Sequence, residues 1–199
     1  MIWYYNMKKI KLKKKQKSNK SVKWLERHLN DEYVLKSKLD GYRSRSSYKL
    51  IEINQKFSLF KNCNNILDLG SAPGGWLQVA KEFSSEKSKI VGVDKLAIKK
   101  IVGVHFMQKD VFNLNITDEI KNIFEGKVDI LLSDMSPNSS GNKSIDHLRI
   151  VSLVEKVLEI AREVLKKNGF LVTKIFQGGA QGQLVSLMKK DLNNVKYFK

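Results

Sequence analysis

Cysteine is almost missing from this chain of 199 residues: Cys63 stands alone, so no internal disulfide forms and no cysteine-based zinc site can be built. The three histidines, His28, His105 and His147, are scattered without ligand spacing, and no metal is expected. Proline is nearly as scarce. Only Pro73 and Pro137 occur, and each follows an apolar, strand-like run. No apolar stretch approaches the ~18 residues of a membrane span, and the N-terminal lysines are not followed by the apolar core of a signal peptide. The expectation is a soluble, monomeric, cytoplasmic protein with no membrane partner.

Acid is also in short supply, with 20 Asp and Glu against 37 Lys and Arg, a formal charge of +17. Only Arg27, Arg43, Arg45, Arg149 and Arg162 are arginine, so a lysine-biased composition explains part of the excess. Its distribution is more telling. Lys8 to Lys23 holds nine lysines and no acid, whereas the remainder is more balanced. Clustered lysines displace counterions from a polyanion, which points to a nucleic-acid partner.

That stretch cannot bury enough apolar surface to order itself, so residues 1–21 are read as a basic arm. Residues 22–60 carry helical periodicity: Trp24, Leu25, His28 and Leu29, then Tyr33, Val34 and Leu35, then a helix from about Ser47, with Ser46 or Ser47 as its N-cap. From residue 61 the texture becomes short apolar runs alternating with helical ones, the pattern of an α/β domain with a mostly parallel sheet. The predicted strands are Ile66 to Leu69, Ile90 to Val93, Val104 to Gln108, Val128 to Leu132 and Phe170 to Ile175. Predicted helices lie near Gly75 to Phe83, Asp118 to Phe124, Ile145 to Lys167 (capped at Asn168 and Gly169) and Gln181 to Leu192.

ILDLGSAPGGW, Ile66 to Trp76, carries the most information. A strand ends in a glycine-rich turn that opens a helix, which brings backbone to a ligand at the carboxyl edge of the sheet. The turn does not match GxGxxG, so a cofactor with nucleoside and amino-acid ends suits it better than a dinucleotide. Asp94 closes the next strand, where a carboxylate accepts ribose hydroxyls, and Asp110 follows the third strand, within reach of an adenine amino group.

DLGSAPGGW, VGVD, QKD, SDMSPN and VTKIFQG, with the upstream WLERHLNDEYV and YRSRSSYKL, occur in an order and spacing that resembles the FtsJ family of RNA ribose 2′-O-methyltransferases. The resemblance covers about Ser21 to Lys199. It implies a Rossmann-like methyltransferase fold, S-adenosylmethionine bound across Gly74, Trp76, Asp94, Asp110 and Asp134, and methyl transfer to ribosomal RNA of the large subunit, a uridine in ribosomal particles. Transfer to tRNA or an mRNA cap, or a noncatalytic role in ribosome assembly, are the alternatives.

The resemblance also implies a Lys-Asp-Lys-Glu tetrad, of which Lys49, Asp134 and Lys174 are present. A ribose hydroxyl needs a base before it attacks, and Lys174, in an apolar strand, is expected to be buried beside a second cation so that its amine approaches neutrality. Asp134 would orient it, and Lys49 would face the developing alkoxide. RNA contact is expected from the arm and from Arg43 and Arg45. The family's glutamate, in a terminal hairpin, has no match before the sequence stops at Lys199, just after VKYF. The expectation is an incomplete domain in which Val195 to Phe198 begins a strand.

Overall fold

In a computed structural model, residues 31–137, 140–175 and 181–198 are described. The basic arm and the helix expected around Trp24 and His28 lie outside these residues. Two helices come first, α1 (Glu32–Leu39) and α2 (Ser47–Phe57). Asp31 caps α1 through its carboxylate, which accepts from Val34 N–H at 3.2 Å. Ser46 holds the N-cap position of α2 without a capping bond, because its hydroxyl pairs with Ser44 Oγ at 2.7 Å.

Then strands and helices alternate: β1 (Asn65–Leu69), α3 (Gly75–Phe83), β2 (Lys89–Asp94), β3 (Val104–Gln108), α4 (Ile116–Phe124), β4 (Val128–Ser133), α5 (Lys143–Val164), β5 (Leu165–Thr173) and α6 (Gln181–Asp191). The strands form one parallel sheet in the order β3-β2-β1-β4-β5. Strands buried on both faces read as continuous apolar runs, which is why most of them were legible in sequence. Alternate residues feed two cores. Leu67, Leu69, Val91, Val93 and Leu131 pack under α4 and α5, while Ile66, Ile90, Ile130 and Leu132 pack under α2 and α3.

Strand order reverses direction between β1 and β4, and a crevice opens at the carboxyl ends where crossovers depart to opposite faces. Gly70, Asp94, Asp110, Asp134 and Lys174 all lie just at or beyond those ends. Pairing of Leu69 with Ser133 and of Ser133 with Thr173 places the residues that follow side by side. Lys174 N–H continues the ladder, donating to Ser133 O at 2.9 Å.

Two expectations need correction. Helix α5 ends at Val164, short of Lys167, and Leu165 already pairs with Val128. The next ladder pair is Ile130 with Phe170, so Lys166 to Gly169 is looped out. Asn168 takes the left-handed conformation (φ 65°), and Gly169 allows close backbone approach, since a Cβ there would lie 2.9 Å from the carbonyls of Asp129 and Lys166. The run VKYF is not a strand. Val195 packs against α5 and α6, and Phe198 packs against the core beneath α2, with the Lys56 ammonium 5.4 Å from its ring centroid. Among the described residues, β5 pairs with β4 alone.

Candidate active site

The loop after β1 is drawn tightly against its surroundings. Gly70 and Ser71 N–H both donate to Val93 O, at 2.8 and 3.2 Å, and Gly74 N–H donates to Ser71 O at 2.6 Å. Gly70 (φ 71°) has no space for a side chain, because a Cβ would overlap Met135. The Ala72–Pro73 peptide is cis. Asp94, at the end of β2, receives Ala72 N–H on Oδ2 and Leu96 N–H on Oδ1, both at 2.8 Å, so this carboxylate ties the loop to the next strand. Asp110 Oδ1 accepts Phe112 N–H at 3.0 Å.

These groups surround a cavity of about 620 Å³. Gly70, Ala72, Asp94, Asp110 and Asp134 line it, with Arg149 and Leu153 of α5 on the far wall. Its size lies in the range of small-molecule sites. Gly74 and Trp76 are not in its lining. Gly74 faces Arg43, and the Trp76 indole N–H donates to Ser46 O at 3.0 Å.

A second cavity, about 340 Å³, opens along β5 and is lined by Lys49, Trp76, Asp134 and Lys174 at one end and by apolar groups such as Phe57 and Val195 further along. Asp134 lines both cavities. Its Oδ1 lies 3.1 Å from Lys174 Nζ. The expected burial of Lys174 is not found: the side chain is 38% exposed, one residue past the last paired residue of β5, and the charge beside it is the Asp134 carboxylate. Lys49, in the first turn of α2, is exposed toward the same cavity. The three members of the implied tetrad therefore line one cavity, with Asp134 and Lys174 in contact, although the desolvation invoked for Lys174 is not supplied by the described residues.

Sequence reasoning missed Asp68. It is 1% exposed, neither carboxylate oxygen has a hydrogen-bond partner among the described residues, and burial first, then Asp134 and Asp94, push its carboxyl well above the usual range. The signal was an acid inside the apolar run ILDL. Arg149 and Leu153 were also missed; four residues apart, they share a helix face, but which cavity that face meets is a tertiary fact.

The two arginines expected to meet RNA have different surroundings. Arg45 is largely exposed, with its guanidinium paired to Asp31. Arg43 is turned onto backbone: Nη1 donates to Pro73 O at 3.2 Å and Lys99 O at 2.7 Å, and Nη2 to Lys100 O at 3.2 Å. Among the described residues no cluster of His, Cys, Asp and Glu suits a metal, and no helix is long and apolar enough to cross a membrane.

A parallel sheet with this strand order, and carboxylates at successive strand ends around a cavity, define an α/β enzyme of the nucleoside-cofactor-binding class. Residues 42–199 match the FtsJ-like methyltransferase family, and the chain belongs to it. The protein of Rickettsia akari called Ribosomal RNA large subunit methyltransferase E is 44% identical over 98% of this chain and 88% of its own length. Its namesake in Rickettsia conorii is 42% identical over the same shares. Among solved structures, a ribosomal RNA methyltransferase, putative, from Plasmodium falciparum superposes with a TM-score of 0.74 at 32% identity, covering 79% of this chain and 91% of that one. The protein is thus a methyltransferase with a Rossmann-like fold.

Proposed function

We propose that this enzyme methylates a ribose 2′-hydroxyl of large-subunit (23S) ribosomal RNA, a uridine within ribosomal particles, using S-adenosylmethionine. The observation that carries the chemistry is the place of Asp134, which lines the cofactor-sized cavity and also the second one, where it pairs with Lys174 and shares the lining with Lys49. The names of the relatives point to large-subunit ribosomal RNA, and the ribose hydroxyl and the uridine rest on the resemblance of the motifs.

The first cavity fits the cofactor. Asp94 and Asp110 keep lone pairs for ribose hydroxyls and an adenine amino group, the carboxylates favour a sulfonium and an ammonium, and the loop presents none of the glycine spacing of a pyrophosphate site. Bound S-adenosylmethionine supplies an activated methyl group whose leaving group is neutral. No acid for the leaving group is then required, and the chain's own residues have three tasks. With RNA covering the second cavity and supplying the desolvation that the described residues do not, Lys174 Nζ in its neutral form takes the proton of the 2′-hydroxyl, Asp134 Oδ1 holds that amine in register, and the Lys49 ammonium stabilises the oxygen as it gains charge. Arg45 and the lysines of residues 8–23 draw the phosphate backbone across the second cavity.

The test is transfer of labelled methyl groups to large ribosomal subunits, deproteinised 23S rRNA and tRNA. Label should enter the large subunit, and Lys174→Ala should abolish transfer while S-adenosylmethionine affinity stays within twofold of wild type. Wild-type turnover in that variant would remove Lys174 as the base. Preferential labelling of tRNA would overturn the substrate.

A further inference from the structure

Arg43 occupies a place that neither RNA contact nor the methyl-transfer chemistry uses. Its guanidinium meets three backbone carbonyls from two distant segments: Pro73 O in the loop after β1, and Lys99 O and Lys100 O in the segment that follows Asp94. Its own N–H donates to Gln78 Oε1 at 2.9 Å, and Gln78 Nε2 returns a bond to Gly41 O at 2.9 Å. The fit is close on the other side as well. A Cβ on Gly74 would lie 2.8 Å from Arg43 Nη1 and 3.1 Å from Ile101 Cδ1, so the glycine is what lets the guanidinium reach across.

Carbonyls that converge in this way repel one another unless a cation with several donors sits between them. A planar guanidinium does this, whereas an ammonium is a single point on a shorter stem. We propose that Arg43 is a positioning residue of the cofactor site: it holds the Gly70–Gly74 loop at a fixed distance from the Lys95–Ile101 segment, and leaves RNA phosphates to Arg45. The proposal rests on the reading of the first cavity as the S-adenosylmethionine site. Both clamped segments belong to that cavity's walls, through Gly70 and Ala72 on one side and Lys95 and Leu96 on the other. Both Nη1 donors are taken up by these carbonyls, so a phosphate could engage that nitrogen only by displacing them. Arg45, 57% exposed in its side chain and held by one carboxylate, carries no such commitment.

The experiment compares wild type, Arg43→Gln, Arg43→Lys and Arg45→Gln in the full chain. Calorimetry measures S-adenosylhomocysteine binding, and a salt titration measures binding of a 23S rRNA transcript. Arg43→Gln should weaken S-adenosylhomocysteine at least tenfold, Arg43→Lys should recover part of that loss, and both should keep the wild-type slope of log K against log salt. In turnover, KM for S-adenosylmethionine should rise with kcat close to wild type, a split that general loss of structure would not produce. Arg45→Gln should keep S-adenosylhomocysteine affinity and reduce the salt slope by about 0.7–0.9. Arg43→Gln with S-adenosylhomocysteine affinity within twofold of wild type would overturn the assignment, and a slope reduced by about one would return Arg43 to the RNA surface. Failure of wild type to bind S-adenosylhomocysteine while still binding RNA would overturn the reading of the cavity itself.

Discussion

Gly75 opens α3 with an ordinary helical backbone, so on propensity alone Gly75→Ala should stabilise, by up to about 1 kcal/mol. The structure reverses the sign. A Cβ at this position would overlap Ser44 Oγ, lie 2.7 Å from Ser47 Oγ and lie 3.2 Å from Ser44 Cβ. Ser44 could turn its hydroxyl aside at the loss of its 2.7 Å bond to Ser46, about 1 kcal/mol. Ser47 has no such exit, because it is fully buried in the first turn of α2. Helix α2 must therefore move, and overpacking of this kind costs about 1–3 kcal/mol. The net expectation is destabilisation by about 1–3 kcal/mol, read as a lower urea midpoint with unchanged m-value and a melting temperature lower by about 2–4 °C per kcal/mol. Lys49 rides on α2, so turnover should fall further than cofactor affinity. Adding Ser44→Ala and Ser47→Ala removes both hydroxyls and should restore most of the lost stability. A Gly75→Ala protein as stable as wild type would refute the contact between the cofactor loop and α2.

Asp94→Ala should weaken S-adenosylmethionine binding by about 1–3 kcal/mol in calorimetry, through lost hydrogen bonds to a charged group; unchanged affinity would place the ribose elsewhere. Cys63 is buried, and burial first, then Asp129, pushes its thiol up to about 11, so iodoacetamide at pH 8 should leave the native protein unlabelled and modify it only in denaturant. Native-state labelling at one equivalent would contradict that environment. Asp68 has a raised native pKa, so the native state keeps a proton that the unfolded chain releases; its contribution is fully present below the unfolded value, about 3.9, and is lost as pH rises through the native value. Asp68→Asn should accordingly gain on wild type between pH 4 and pH 8 in urea melts, and a constant difference across that range would show the carboxyl to be ionised and compensated.

What the sequence disclosed followed from period and position. Ile66, Ile90 and Ile130 sit in apolar runs because a parallel strand is covered on both faces, and the acids at strand ends stand out against those runs. Asp94, Asp110 and Asp134 were legible as one set for that reason, and the structure places all three on one cavity. Contacts decided by tertiary packing were not legible. Lys174 reads as interior because VTKIF is largely apolar, yet it stands one residue past the last pair of the ladder, with its side chain 38% exposed. KKNG after α5 reads as a helix end, and only the jump in register shows it to be a loop within the strand pairing. Gly74 and Trp76 carry the family's motif, but their observed neighbours are Arg43 and Ser46, a packing relation that no spacing rule encodes.

A chain of formal charge +17 with a cofactor of net charge about +1 poses an electrostatic problem, because the field that gathers RNA opposes the methyl donor. The arrangement of acids answers it. Asp94, Asp110 and Asp134 line one cavity and outnumber the Lys95 and Arg149 that share its wall, whereas the densest run of lysines is remote in sequence, in residues 8–23. At physiological salt, charges further than about 8 Å from the cavity are largely screened, and the carboxylates at its wall are not. The two ligands should then respond to salt in opposite senses. RNA affinity should fall steeply between 50 and 200 mM KCl as counterions are no longer released at a gain, and removal of residues 1–20 should flatten that slope. S-adenosylmethionine affinity should hold level or rise slightly over the same interval, since added salt screens the repulsive excess more than the short-range attraction. Isothermal titration of S-adenosylmethionine at four salt concentrations, beside filter binding of the rRNA transcript, measures both. A cofactor affinity that drops in parallel with RNA affinity would mean that long-range attraction governs both ligands, and would refute the separation of charge on which this reasoning depends.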